Sequence, residues 1–227
     1  MCDFDRYDER SGKFEYMSWS LSKRHIKEQP FNSSTYPEDI FQVISLEPWN
    51  KMVSARFAAK HGLRFQALPR AIDVFFTMMS MALAERIAAV DKVLVHYRVG
   101  MSTNLQARNH LSPTAFCEAL EAVQRRLEAE GLFDSLWRSF AENALSQMVY
   151  SLRKLSASPA AYRTLAAWIR NKYLEQFAVL RGMNEHCLNE SAAKELISLM
   201  ENQPLQPLEL TSLPTDESGE RPCVSGN

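Results

Sequence analysis

Asp73 stands between a loop and the apolar run Val74 to Ala84, and its carboxylate has two roles open to it. It can cap the helix that the run predicts, or take a proton from a hydroxyl held within hydrogen-bond reach. Trp49 and Lys51, within Pro48-Trp49-Asn50-Lys51, offer an aromatic face for stacking and an ammonium for pairing with a phosphate or another acid. The same two residues equally suit a buried indole and a solvated lysine. His96 is either a metal ligand or a hydrogen-bonded structural residue, and Arg98 either a phosphate contact or half of a salt bridge. Asp3-Phe4-Asp5 has the D-x-D form that hard cations favour, but so short a pattern arises by chance and only Met1 and Cys2 precede it. No metal ligand is assigned. His25, His61, His110 and His186 fall in no metal-ligand spacing, and there is neither a G-x-S-x-G nor a glycine-rich phosphate loop.

The elements that must position these residues change in character near Asn109. Ahead of it, Lys13 to Trp19 suggests a strand. Ser54 is the expected N-cap of a short helix that Gly62 ends in a left-handed conformation. Phe65 to Pro69 reads as loop, and Val74 to Ala84 as a buried helix. Ile87 to Val90 and Val93 to Val99 are β-branched runs, with Asp91-Lys92 expected as a turn between them. Behind Asn109 the pattern is helical. Ser112-Pro113 and Ser158-Pro159 each resemble a cap followed by proline at the first helical position. One apolar stripe holds Phe116, Leu120, Val123 and Leu127. A second runs from Phe133, Leu136, Trp137 and Phe140 through Leu145, Val149 and Leu152. Tyr162, Leu165, Ile169, Tyr173 and Phe177 form a third, and Leu196, Ile197 and Met200 a short fourth. The proline-containing stretch after Asn202 has little to bury and is expected to be a disordered tail.

Composition sets the wider bounds. The 227 residues are 46% hydrophobic and 23% charged, enough for a sizeable core, with a formal net charge of -1. With no lysine- or arginine-rich run, neither a nucleic-acid binder nor an acidic-membrane binder is expected. Cys2, Cys117, Cys187 and Cys223 are dispersed and form no C-x-x-C pair, which fits a reducing cytoplasm. Asp3, Asp5, Asp8 and Glu9 stand where a signal peptide would be basic and then apolar. Val74 to Ala84 is too short to span a bilayer, so no transmembrane segment is expected.

Three pieces, in order, carry a family resemblance. The first is Pro48-Trp49-Asn50-Lys51-Met52-Val53, then Arg56-Phe57 and His61-Gly62-Leu63-Arg64-Phe65. The second is Ala71-Ile72-Asp73-Val74-Phe75-Phe76. The third is Ile87-Ala88-Ala89-Val90-Asp91, then Leu94-Val95-His96-Tyr97-Arg98. Together, Pro48 to Asn104 resembles the second half of the catalytic domain in family-two glycosyltransferases of the GT-A fold. The resemblance implies an α/β region with few strands, a partial GT-A domain over 1–106. A helical region over 107–202 and the tail 203–227 follow. It implies transfer of a sugar from a nucleotide-sugar donor to a glycan, lipid or protein acceptor. Asp73 is then the catalytic base, and Trp49, Asn50, Lys51, His96 and Arg98 contact substrate, His96 and Arg98 toward the diphosphate. The family also implies a divalent metal, manganese or magnesium, with ligands outside this chain. Ile72 stands where the family's acidic pair begins, and the half that cradles the nucleotide is expected to be missing. A non-catalytic remnant or helical interaction module is therefore the alternative.

Overall fold

The computed structural model describes residues 1–17, 21, 26–43, 45–100 and 105–201. The tail expected over 203–227 lies outside the described residues.

A small mixed sheet comes first and a mainly helical region follows. Strand β1 (Cys2–Asp8) turns back through Gly12, at φ 67°, into β2 (Lys13–Tyr16), which pairs with it antiparallel. Strand β3 (Val90–Val99) lies parallel to the other edge of β1, giving the order β2-β1-β3. The connection to β3 carries a 3-10 turn at Pro48–Asn50, α1 (Ala55–Lys60) and α2 (Val74–Leu83). The expected caps of α1 are present. The Ser54 hydroxyl accepts from the Phe57 amide at 3.3 Å, and Gly62 takes φ 62°.

The expected turn at Asp91-Lys92 is corrected: both residues lie inside β3. A hairpin would require the flanking runs to pair with each other. Instead, Ile87 exchanges backbone hydrogen bonds with Phe31, at 2.7 and 2.9 Å, while β3 is held by β1. Cys2 pairs with Val90 and Asp3 with Val93, so Asp91 and Lys92 are the extra residues of a bulge.

The helical region is built on α3 (Ala115–Ala129) and α4 (Phe133–Leu155), joined through Gly131 at φ 68°. Helix α5 (Pro159–Trp168) follows, then a π turn at Ile169–Tyr173 and the short α6 (Leu174–Gln176), α7 (Val179–Asn184) and α8 (Glu190–Glu201). The first three apolar stripes are buried as their spacing predicts, except Phe133 at the start of the second, which is only partly buried. In the third, steps of four residues overshoot a turn of about 3.6, and the wider π turn takes up the excess. Tyr173 and Phe177 stay on the stripe, their rings stacked at 5.1 Å. Two expectations are corrected here. Ser112 closes a turn on Asn109, so α3 begins at Ala115, with Thr114 in the cap position. In α8 only Leu196 and Met200 are buried, and Ile197 is 39% exposed.

One apolar cluster runs without a break from Phe31, Ile40 and Met78 into Phe140, Leu165 and Leu196. The boundary drawn at residue 106 does not interrupt that core. Among the described residues no helix is long and apolar enough to cross a membrane.

Candidate functional site

Residue alternation gives the sheet two unlike faces. On one, Phe4 and Tyr97 meet the 3-10 turn. The Trp49 ring stacks on Tyr97 at 5.2 Å and meets the edge of Phe4 at 4.7 Å. The Cys2 thiol donates to the Asn50 carbonyl at 3.5 Å. The turn is held from within as well. The Lys51 ammonium donates to the carbonyls of Ser45 and Glu47, at 2.5 and 2.6 Å, and to Asn50 Oδ1 at 2.8 Å. Burial pulls the Lys51 pKa down to about 7, against the opposing pull of the Glu47 and Asp73 carboxylates. The Asn50 side chain is buried and also donates to Ser45 Oγ at 3.3 Å. Lys51 and Asn50 therefore fasten the turn. In its charged form Lys51 has an acceptor within the chain for each ammonium hydrogen, leaving none for a phosphate. Trp49, still 37% exposed, keeps surface for a ligand.

Asp73 comes to this side from the start of α2. It occupies the cap position, yet its side chain makes no capping hydrogen bond. Burial raises its carboxyl pKa and the Glu47 carboxylate adds to the rise, while its own amide, Lys51 and the Val74 amide oppose it. The loop leading to it is tightly drawn. Ala71 has φ 57°, the left-handed region that non-glycine residues avoid. The Gln66 amide donates to the Ile72 carbonyl at 2.9 Å.

Three more residues belong to this side, and none stood out in the sequence. One carboxylate oxygen of Glu47 is buried with no hydrogen-bond partner. The Arg70 guanidinium donates to the Ser112 carbonyl at 3.4 Å, and its pKa is lowered by burial. Tyr150, from α4, has its pKa raised by burial and lies within electrostatic range of Tyr97, Arg70, Glu47 and Arg6. The helical region thus supplies one wall of the site. Tyr150 sits off the apolar stripe of α4, where periodicity gives no sign of it.

His96 and Arg98 lie on the opposite face of the sheet. His96 Nδ1 meets Asp5 Oδ1 at 2.6 Å and its ring meets Phe14 at 5.0 Å, while Arg98 pairs with Glu9 at 3.3 Å. The structure therefore brings Trp49, Asn50, Lys51 and Asp73 together and separates them from His96 and Arg98 by the thickness of the sheet. Asp3-Phe4-Asp5 does not fit a divalent metal. Asp3 is buried and accepts from the Tyr16 hydroxyl at 3.1 Å, and Asp5 is taken by His96. Among the described residues no three His, Cys, Asp or Glu side chains gather as metal ligands.

No family model, curated protein or solved structure matches the chain.

Proposed function

We propose that the chain forms the acceptor side of a nucleotide-sugar glycosyltransferase, with Asp73 as the base for the attacking hydroxyl. The observation that carries the reading is the state of Asp73. It sits where a capping residue belongs, makes no capping bond, and is half-buried with its carboxyl pKa raised. Such a carboxylate is held ready to accept a proton. The acceptor oxygen attacks the anomeric carbon, and its proton passes to Asp73. The bond from that carbon to the diphosphate breaks, and the nucleotide diphosphate leaves. Trp49 offers its open indole surface to a sugar ring, and Lys51 acts as a positioning residue that keeps the turn and Asp73 in register. His96 and Arg98 stand apart from this step. Nucleotide and metal binding are assigned to a donor half beyond the described residues. The setting of this reading is the cytoplasm, where the free thiols of Cys2, Cys117 and Cys187 stay reduced.

The test joins the chain to the nucleotide-binding half of a family-two enzyme and measures sugar transfer. Asp73→Asn is expected to lower turnover by about a hundred-fold, the usual contribution of a positioned base, with donor affinity unchanged. Full turnover with asparagine at this position sinks the assignment. A joined protein that binds donor and never transfers sugar favours the helical interaction module.

A further inference from the structure

The stretch from Pro48 to Ile72 contains Lys51, Arg56, Lys60, Arg64 and Arg70 and no acidic residue. The cations are too dispersed to read as a basic run, but α1 collects several of them. Phe57 and Ala58 pack against the core, which turns Ala55, Arg56, Ala59 and Lys60 outward. Arg64, just beyond the helix, is exposed as well, and these three cations have no carboxylate partner among the described residues. The nearby acid just past α3, Glu130, is already paired with Arg126, whose guanidinium also bonds the His61 carbonyl at 3.1 Å.

Exposed apolar side chains precede and follow the same helix along the chain. Met52, two residues before the Ser54 cap, is 96% exposed. Phe65 lays one face on Phe76 at 4.7 Å and remains 52% exposed. Ile72, drawn beside it by the Gln66–Ile72 backbone bond, is 42% exposed. We propose that this surface, with Met52, Phe65 and Ile72 projecting among Arg56, Lys60 and Arg64, docks the protein on an anionic lipid bilayer. Unpaired cations meet the headgroups, and the separate apolar tips enter the boundary between headgroups and acyl chains. A nucleic acid would engage the cations and leave Met52 and Ile72 without a role. The surface adjoins the loop that carries Asp73, so under the proposed function it brings a lipid-borne acceptor to the base. Vesicle binding is read without turnover, so this proposal and the assignment of Asp73 stand or fall separately.

The test is sedimentation of the full chain with phosphatidylcholine vesicles, with and without phosphatidylglycerol. Binding is expected only to the vesicles containing phosphatidylglycerol, and is expected to weaken as salt rises. Changing Arg56, Lys60 and Arg64 together to Gln is expected to lower partitioning by about a hundred-fold, at roughly five-fold per cation. Met52→Ser combined with Phe65→Ser is expected to lower it by at least about ten-fold. All five side chains are exposed, and unchanged circular dichroism will show that the fold is kept. Absence of binding to the anionic vesicles, or a triple Gln variant that binds as tightly as the parent, overturns the proposal. So does equal retention on soluble heparin with no effect of the serine changes, which marks a generic basic surface.

Discussion

The Lys51 ammonium is buried, with its hydrogens directed at Ser45, Glu47 and Asn50, and both facts can be tested by titration. Its folded pKa, about 7, lies below its ordinary 10.5, so between these values the unfolded chain binds more protons. Stability contributed by Lys51 therefore rises with pH across that window and is lost as pH falls through about 7. The three acceptor oxygens favour the charged form, so the rise is capped at about 5 kcal/mol. Chemical denaturation at several pH values is expected to show this rise in the parent and not in Lys51→Met. The same change removes the cation that lowers the Asp73 pKa, so Asp73 is expected to titrate higher still. In the joined enzyme, the acid limb of kcat/KM then moves to higher pH. An unmoved limb would show that Lys51 does not act on Asp73. The residue types at this site were legible in Trp49-Asn50-Lys51 and Asp73. Their burial was not, because burial depends on what Cys2, Phe4 and Tyr97 bring across from the sheet.

Among the elements, the long helices were the most legible, because a stripe such as Phe116, Leu120, Val123 and Leu127 encodes its own period. The sheet was less so. Asp91-Lys92 has turn chemistry, and only the pairing of β1 with β3 makes it a bulge. His96 and Arg98 were assigned to the site for a related reason. A short strand shows which residues share a face and not which face meets the rest of the molecule. The loop before α2 was opaque, since nothing about an alanine announces a left-handed backbone. That conformation costs an L-residue roughly 1–2 kcal/mol, whereas the extra freedom glycine gives the unfolded chain costs about 0.4–1 kcal/mol. Ala71→Gly is thus expected to raise stability by about 0.5 kcal/mol, measured by denaturant midpoint. A loss of a kilocalorie per mole or more would contradict the positive φ at this position.

At the scale of the whole molecule, the N-terminal region and the helices share one core, and the seam between them is polar as well as apolar. Segment 36–43 lies against α4. The Phe41 amide donates to Ser139 Oγ at 2.9 Å, and that hydroxyl donates in turn to Gln42 Oε1 at 2.7 Å. Gln42 Nε2 donates to the Ser139 carbonyl at 2.8 Å, Asn143 Nδ2 to the Phe41 carbonyl at 3.3 Å, and Arg138 pairs with Glu38 at 2.8 Å. Ser139 is wholly buried and serves both sides of the seam. Ser139→Ala leaves the Phe41 amide and the Gln42 carbonyl oxygen without this partner, at a cost of about 2 kcal/mol. For a chain of this size that corresponds to a fall of about 5 °C in Tm. The way the protein melts carries more information than the size of the shift. Trp49 reports on the sheet side and Trp137 on α4, so single-tryptophan variants follow the two regions separately. With a shared core, both signals are expected to melt together, before and after the change, and both to shift by the same amount. If the Trp49 signal moved alone, or melted well before Trp137, the two regions would fold as independent units. Tyr150 would then have no fixed position relative to Asp73, and the wall that α4 contributes to the site would be lost.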